Sequence, residues 1–323
     1  MTAMRFLIAV LIVIGAVSPA SAETFPDRPI KIIAPFTPGS PNDVVARLIA
    51  APMAVQLGQS VVVDNRPGGG TTIGVKAAMM AEPDGYTLLI SNSPTHFISP
   101  LVNKTFTYDP LKDFVPVAAI ASGGLMLVIA PDVPAKTLAE FVAFVKANPN
   151  KLTFGSGGIG TPAHLAGELL KVEAGIEMAH APFRGTGQAL QSVIGGHVPV
   201  AFNPPSPLLP HLESGALRAI AVTTLKRTQA LPDVPTIAES GYPGFDAATW
   251  HAVVAPPNLP KDVAATIHRA VHDTLNDPAT KKALTDLGVD VVNSSPEALR
   301  DYIKSEIPKW AKVVKASGAI AGQ

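Results

Sequence analysis

The sequence has no cysteine in 323 residues. This excludes disulfide bonds, a thiolate nucleophile, a zinc site with cysteine ligands and a lipid anchor on an N-terminal cysteine. An exported chain without cysteine is compatible with a bacterial periplasm, because its folding does not depend on the redox poise of the compartment.

An excess of charge of either sign is also absent. The chain carries 25 Lys and Arg against 25 Asp and Glu, and charged residues make up only 15% of it. Binding to nucleic acid or to an anionic membrane surface depends on a basic surplus. We therefore expect no nucleic-acid partner and no electrostatic membrane association.

Long apolar runs are missing except near the N-terminus. The run FLIAVLIVIGAV at 6–17 follows Arg5 and precedes SPASA, in which Ala20 and Ala22 fit a signal-peptidase site. A membrane helix needs about 20 apolar residues, and this run is shorter. The pattern predicts a signal peptide over 1–22, cleavage after Ala22 and a periplasmic location.

The rest of the chain alternates β-prone and helical segments, which indicates an α/β fold with mainly parallel sheets and flanking helices. Strands are predicted at 30–35, 61–64, 87–91, 115–121, 125–130, 152–154, 178–183, 198–203, 219–223 and 252–256. A helix is predicted over 261–276, and another begins at Pro296 with Ser295 as its cap.

The length suits two domains. The break Ser122-Gly123-Gly124 separates two predicted strands and is a candidate crossing between lobes. We expect a discontinuous first lobe, 23–122 plus 226–323, and a second lobe over 123–225. The return crossing lies somewhere in 223–252.

Three segments share a strand–loop–helix pattern, at 32–50, 152–170 and 180–196. Ser40 and Thr161 stand as N-caps of the first two helices, each followed by proline. A helix start offers free backbone N–H groups and the positive end of the helix dipole. Because these starts follow strands, they belong at the edge where open α/β sheets bind ligands, and they predict an anion-binding cleft.

Enzymatic alternatives find weaker support. The glycines of 155–160 satisfy G-x-G-x-x-G, but the next strand ends at Phe183-Arg184 without the acidic residue of a dinucleotide site. Ser156 lacks the glycine two residues before it that a hydrolase elbow needs. His268 and His272 have zinc-pair spacing without the accompanying glutamate motif. No catalysis, cofactor or metal is therefore expected, and an exported enzyme remains the alternative of another class.

Several motifs together resemble one family. These are FPDRPIKIIAPFTPGSPNDVVAR, VVVDNRPGGGTTIG, PDGYTLL, LTFGSGGIGTPAHLAGELL, APFRGTGQAL, LPDVPTIAESGYPGF and WHAVVAPPNLP, in this order. The chain is similar to the Bug family of periplasmic solute-binding proteins, the receptors of tripartite tricarboxylate transporters. The resemblance implies a two-lobe type II periplasmic binding fold (a Venus flytrap), a small carboxylate ligand, transporter membrane subunits as partners, and a monomer.

The resemblance also implies the site residues. They are, for the first-lobe loop, Thr37, Gly39, Ser40, Asn42 and Asp43; for a side wall, Asn92 and His96; for the second-lobe loop, Ser156, Gly157, Gly158, Thr161 and His164; and for the remaining pocket, Arg184, Gly185, Thr186 and Asn203.

Three positions depart from the family pattern: Ser40 replaces a glycine, Phe183 replaces a tyrosine, and Asn203 replaces an acidic residue. The last change removes a charge that could meet an amine, so an amino-acid ligand is not favoured. The residues do not specify which carboxylate binds, and a receptor serving a sensor instead of a transporter is the alternative.

Overall fold

The computed structural model describes residues 25–103 and 106–317. The predicted signal peptide lies outside the described residues. The described chain forms two β-sheets with helices packed on them, and we call the part built on each sheet a lobe.

The first sheet has six strands and the second has five. In spatial order the first contains β11 (Asp290–Val291), β4 (Val115–Gly123), β10 (Thr249–Ala255), β3 (Thr87–Asn92), β1 (Ile30–Ala34) and β2 (Val61–Asn65). The second contains β7 (Ala179–Pro182), β6 (Thr153–Ser156), β8 (Val200–Asn203), β5 (Met126–Ile129) and β9 (Arg218–Val222). All ten predicted strands are present; the two-residue β11 was not predicted.

Helices flank both sheets. The α-helices are α1 (Pro41–Leu57), α2 (Thr72–Met79), α3 (Ser99–Val102), α4 (Leu138–Ala147), α5 (Pro162–Ala174), α6 (Thr186–Ile194), α7 (Leu209–Glu213), α8 (Lys261–Asn276), α9 (Pro278–Asp286) and α10 (Pro296–Ser317). Helix α8 has the predicted bounds. The N–H of Ala298 donates to Ser295 Oγ at 3.1 Å, which confirms the predicted cap of α10.

The α/β fold is as predicted, but the sheets are mixed and not mainly parallel. Strands β1, β2 and β3 pair in parallel, as do β6, β7 and β8. Strand β10 is antiparallel to β3 and β4, and β5 is antiparallel to β8 and β9. Strand β5 is the first strand after the chain crosses into the second lobe, and β10 is the first after it crosses back. Each begins at the sheet edge where its neighbouring strands end, so each runs antiparallel to them.

This topology places both crossings at one edge of each sheet. Gly123 at the end of β4 pairs with Thr249 at the start of β10. In the second lobe, Met126 at the start of β5 pairs with Asn203 and with Val222, at the ends of β8 and β9. The edges that carry the strand ends, and hence the three predicted helix starts, therefore adjoin the segments that connect the lobes.

A single hydrophobic cluster continues from one lobe to the other. It contains Phe97 and Trp250 of the first lobe, Leu127 and Phe154 of the second, and Trp310 of α10. Helix α10 packs against both β4 and α5. The C-terminal helix thus joins the two lobes next to their connecting segments.

A candidate anion-binding cleft

The first-lobe loop, residues 36–40, connects β1 to α1. Ser40 Oγ accepts from the N–H of Asp43 at 3.3 Å, and Pro41 is the first helical residue, so the predicted cap is confirmed. Thr37 and Gly39 are exposed on this loop. Pro41 has no N–H, Asp43 N–H is taken by Ser40 Oγ and Val44 N–H by Ser40 O. Within the described residues, Asn42 N–H is therefore the donor of the first turn of α1 that has no acceptor.

Asp43 holds this loop in place. Its carboxylate accepts from Gly39 N–H and from Asn65 Nδ2, both at 2.8 Å, and pairs with Arg47 at 3.0 Å. Burial raises the pKa of Asp43, but the hydrogen bonds from Arg47, Gly39 and Asn65 together hold it below its usual range. Both oxygens are engaged, so Asp43 positions the loop and has no free acceptor for a ligand.

The side chain of Asn42 is used in the core. It is 2% exposed; its Nδ2 donates to Ile90 O at 3.4 Å, and its Oδ1 lies 2.6 Å from His251 Nδ1. Since Oδ1 is an acceptor, this contact places the proton of His251 on Nδ1. The predicted ligand contact of Asn42 is therefore left to its backbone.

The predicted side wall is largely internal. Asn92 Oδ1 accepts from Thr95 N–H at 2.9 Å at the start of the π-helical turn Pro94–Ile98. His96 is 1% exposed, and its ring centroid lies 5.6 Å from that of Trp250. Burial lowers the pKa of His96 to about 4. His96 is thus a neutral core residue and lines no surface in this structure, contrary to the prediction.

The second-lobe loop, residues 157–161, connects β6 to α5 and uses part of its hydrogen-bonding capacity internally. Gly158 N–H donates to Ser156 Oγ at 3.1 Å, and Gly160 N–H donates to His164 Nδ1 at 3.1 Å. Thr161 occupies the N-cap position, but its hydroxyl donates to Gly158 O at 2.7 Å and does not cap the helix. The N–H groups of Gly157 and Ile159 make no hydrogen bond within the described residues, and they are the donors left for an anion.

The third predicted loop touches the second. A Cβ on Gly157 would lie 3.0 Å from Thr186 N and 3.2 Å from Gly185 C, so glycine is needed for the two backbones to approach this closely. Asn203 Nδ2 donates to Thr186 O at 3.2 Å. The exposed side chain of Arg184 forms no ion pair within the described residues. The structure therefore brings the predicted second-lobe residues together at one sheet edge.

The lobes meet beside the second-lobe loop. A cavity of about 10 Å³, large enough for roughly one water molecule, lies between them. Its lining comes from both lobes and α10: Ser93, Pro94, Ile98, Pro162, Leu165, Ala247, Ala248, Thr249 and Trp310. The start of α5 is thus near the first lobe.

Several residues around the site were not predicted. Asn65 anchors Asp43, His251 fixes Asn42, and His180 lies 2.6 Å from Ser156 Oγ. The strand 178–183 was predicted, but no local pattern indicated that His180 meets Ser156.

The chemistry offered is that of holding an anion. Ser156 and His180 are close, but Ser156 has no exposed surface and is no accessible nucleophile. Within the described part of the chain, no group of three His, Asp or Glu side chains could hold a metal ion. Backbone N–H groups at helix starts, with Arg184 beside them, remain the available groups.

Comparison with known proteins identifies the family. The model described as "Tripartite tricarboxylate transporter family receptor" matches residues 45–319. The chain belongs to this receptor family. It is 37% identical over 306 residues to Protein BugT of Bordetella pertussis, covering 94% of each chain. These matches confirm the Bug family resemblance, and the family is one of solute-binding receptors and not of enzymes.

Two solved structures confirm the two-lobe fold. The periplasmic binding protein BugD is 34% identical, with a TM-score of 0.71 over 92% of this chain and 99% of that chain. MatC from Rhodopseudomonas palustris with bound malate is 33% identical, with a TM-score of 0.72 over 90% of this chain and 100% of that chain. No helix in the described residues is both long and apolar enough to cross a bilayer.

Proposed function

We propose that this protein is a periplasmic receptor that captures a small carboxylate between its lobes and delivers it to a tripartite tricarboxylate transporter. The observation that carries the proposal is the placement of the α1, α5 and α6 starts at sheet edges beside the lobe connections. Malate bound to the related MatC supports a carboxylate as the ligand class.

Neutral donors would hold the carboxylate in this proposal. From the first lobe, Asn42 N–H at the start of α1 is offered. From the second lobe, the N–H groups of Gly157, Ile159 and the first turn of α6 are offered. Each helix start adds a partial positive charge, which favours an anion without a buried ion pair. The predicted residues Thr37, Ser40, Arg184 and Thr186 would surround the ligand.

Closure would occur about the two connecting segments. We propose that the chain leaves the first lobe after Gly123, the last residue of β4, one residue later than expected. The expected return at 225/226 is too early, because Thr236 still pairs with Val222 of β9 and the N–H of Ile237 donates to Val222 O at 2.9 Å. We propose that the chain returns between Ile237 and Thr249, the first residue of β10. Hinge rotation around such segments is how two-lobed binding proteins enclose ligands. We also propose that the receptor acts as a monomer in the periplasm, with residues 1–22 as its signal peptide.

The test combines binding with a check for turnover. Protein purified from its host is analysed by native mass spectrometry, and a panel of mono-, di- and tricarboxylates that includes malate is screened by thermal shift. At about 100 times its dissociation constant, a ligand adds about 2.7 kcal/mol to stability. The ligand should leave with unchanged mass. Absence of any shift across the panel would refute carboxylate binding, and conversion of a panel member would indicate an enzyme.

The transporter partnership needs its own experiment. The ligand-loaded receptor should retain the membrane subunits of a tripartite transporter in a pull-down from solubilised membranes. Retention of a sensor protein in their place would favour the signalling alternative.

A further inference from the structure

Two histidines stack directly beneath the second-lobe loop. The ring centroids of His164 in α5 and His180 in β7 are 4.1 Å apart with an interplanar angle of 28°. Phe154 stacks on His180 at 4.9 Å. Helix α5 can lie this close because residue 167 is glycine: a Cβ there would be 2.4 Å from the Phe154 ring. His164 is 3% exposed, whereas His180, in the outermost strand of its sheet, is half-buried.

Each histidine binds one end of the loop. His164 Nδ1 accepts from Gly160 N–H at 3.1 Å, and His180 Nε2 lies 2.6 Å from Ser156 Oγ. Ser156 Oγ already accepts from Gly158 N–H, and Gly158 O already accepts from Thr161 Oγ1. The one proton of the Ser156 hydroxyl has two acceptors in reach, Gly158 O at 3.1 Å and His180 Nε2 at 2.6 Å. Because the contact to His180 is the shorter and Gly158 O already has the Thr161 hydroxyl, we assign the proton to the bond with His180, which makes both histidines acceptors.

An acceptor histidine must be neutral, and the surroundings favour that form. Burial, with His180 and Lys171 adding to it, lowers the pKa of His164 to about 4; burial and Lys171 do the same for His180. Glu168 lies 3.9 Å from His164 Nε2 but is already paired with Lys171 at 3.0 Å.

Other charged groups around the pair do not compensate a proton on it. Burial raises the pKa of Glu168, and the nearby charge of Glu177, in the connection before β7, raises it further. Glu173 faces Lys312 of α10 at 3.7 Å. A proton on His164 would set two N–H groups against each other at Gly160, and protons on both rings would repel across the 4.1 Å stack.

We propose that His164 and His180 are positioning residues that fix the anion-binding loop from below, and that protonation of the pair releases the loop. This proposal rests on the proposed function only where the experiment measures malate binding. The neutral histidine pair supplies two hydrogen-bond acceptors and adds no charge to the site. It thereby fixes the direction of the Gly157 and Ile159 N–H groups, and the ligand itself is bound by the helix starts.

The first experiment needs no ligand. Nitrogen NMR of protein with labelled histidine and glycine reads each imidazole tautomer at pH 7. We expect a bare Nδ1 on His164 and a bare Nε2 on His180, and amide signals of Gly158 and Gly160 that move together when the pair titrates at acid pH. The proposal is overturned if either of those nitrogens carries a proton at pH 7, or if the Gly158 and Gly160 amide signals do not change when the histidines titrate.

The second experiment measures malate affinity of variants. His164→Phe and His180→Phe keep an aromatic ring but remove the acceptor, and His164→Asn restores an acceptor. One lost hydrogen bond should weaken binding by about two- to tenfold, with partial recovery in His164→Asn. The exposed His197, changed to Phe, is the matched control and should leave affinity unchanged.

Folding of every variant is verified by thermal unfolding at pH 7. Unchanged affinity in well-folded His164→Phe and His180→Phe refutes the positioning role. If malate does not bind the wild type, the carboxylate panel decides the proposed function, and the tautomer and glycine measurements still decide the role of the histidines.

Discussion

Lowering the pH from 7 to 5 should destabilise this protein through histidines buried in its core. His96 and His251 are both fully buried, and burial lowers the pKa of each from 6.5 to about 4. Between these values the unfolded chain binds a proton at each histidine and the native chain does not. Stability must therefore fall as the pH falls through this window, because protons bind preferentially to the unfolded state.

The size of the effect follows from the two pKa values. At pH 5 each of these histidines costs about 2 kcal/mol relative to neutral pH, so the pair costs about 4 kcal/mol. That is a large part of a typical stability of about 5–15 kcal/mol. Burial raises the pKa of Asp246 and of Glu306, and their native-state protonation opposes the loss. A single variant therefore isolates the histidine contribution better than the wild-type slope does.

The assay is urea unfolding of the wild type and His96→Phe at pH 7, 6 and 5. Phenylalanine suits this site because Phe97, Phe114 and Trp250 surround it. The variant should lose about 2 kcal/mol less than the wild type between pH 7 and 5, whatever its stability at pH 7. His197→Phe, at an exposed position, should follow the wild type. Equal pH slopes for His96→Phe and the wild type would show that His96 titrates alike in both states, and the argument from burial would fail.

Three further outcomes are expected at the site. Gly157→Ala should weaken malate binding by about tenfold or more, because a Cβ there lies 3.0 Å from a backbone nitrogen and overpacking costs about 1–3 kcal/mol. Equal malate affinities of Gly157→Ala and the wild type would contradict the close approach. In calorimetry, the substitution Arg184→Ala at an exposed position should weaken malate binding by less than about tenfold, or ~1.4 kcal/mol. Thr161→Ala, which leaves Gly158 O without the Thr161 hydroxyl, should weaken malate binding more. The reverse order of the two losses would mean that a salt bridge holds the anion. Saturating malate should reduce the radius of gyration in small-angle scattering, and no change would indicate a rigid or already closed receptor.

Local sequence patterns predicted which segments form strands and helices, but they did not predict the direction of every strand. Alternation and turn residues define a strand wherever they occur, and helix 261–276 was delimited by its apolar stripe. The direction of β5 and β10 depends on where the chain enters a lobe, which no local pattern records. The two residues of β11 are too few to carry a period.

The site was predicted at the level of its loops and not of its side chains. Ser40 follows capping chemistry that is read locally, and it caps as expected. Asn42 was placed in the ligand site, yet its side chain meets His251, 209 residues away in sequence. Thr161 has the right position for a cap, but its hydroxyl is directed to Gly158 O and accepts no hydrogen bond from the first-turn N–H groups. Competition among buried partners decides such cases, and it requires the tertiary structure.

The packing also connects the second-lobe loop to the lobe connection. Helix α5 begins at this loop, and α5 packs on α10, which packs on β4. Strand β4 ends at Gly123, where the chain leaves the first lobe. Close-packed elements transmit displacements because they have little free volume to absorb them. A ligand that moves the start of α5 must therefore shift α10 or slide along it, and either movement reaches the connecting segments directly. We therefore expect the C-terminal helix, which contributes no residue to the predicted anion site, to limit how far the second lobe can rotate.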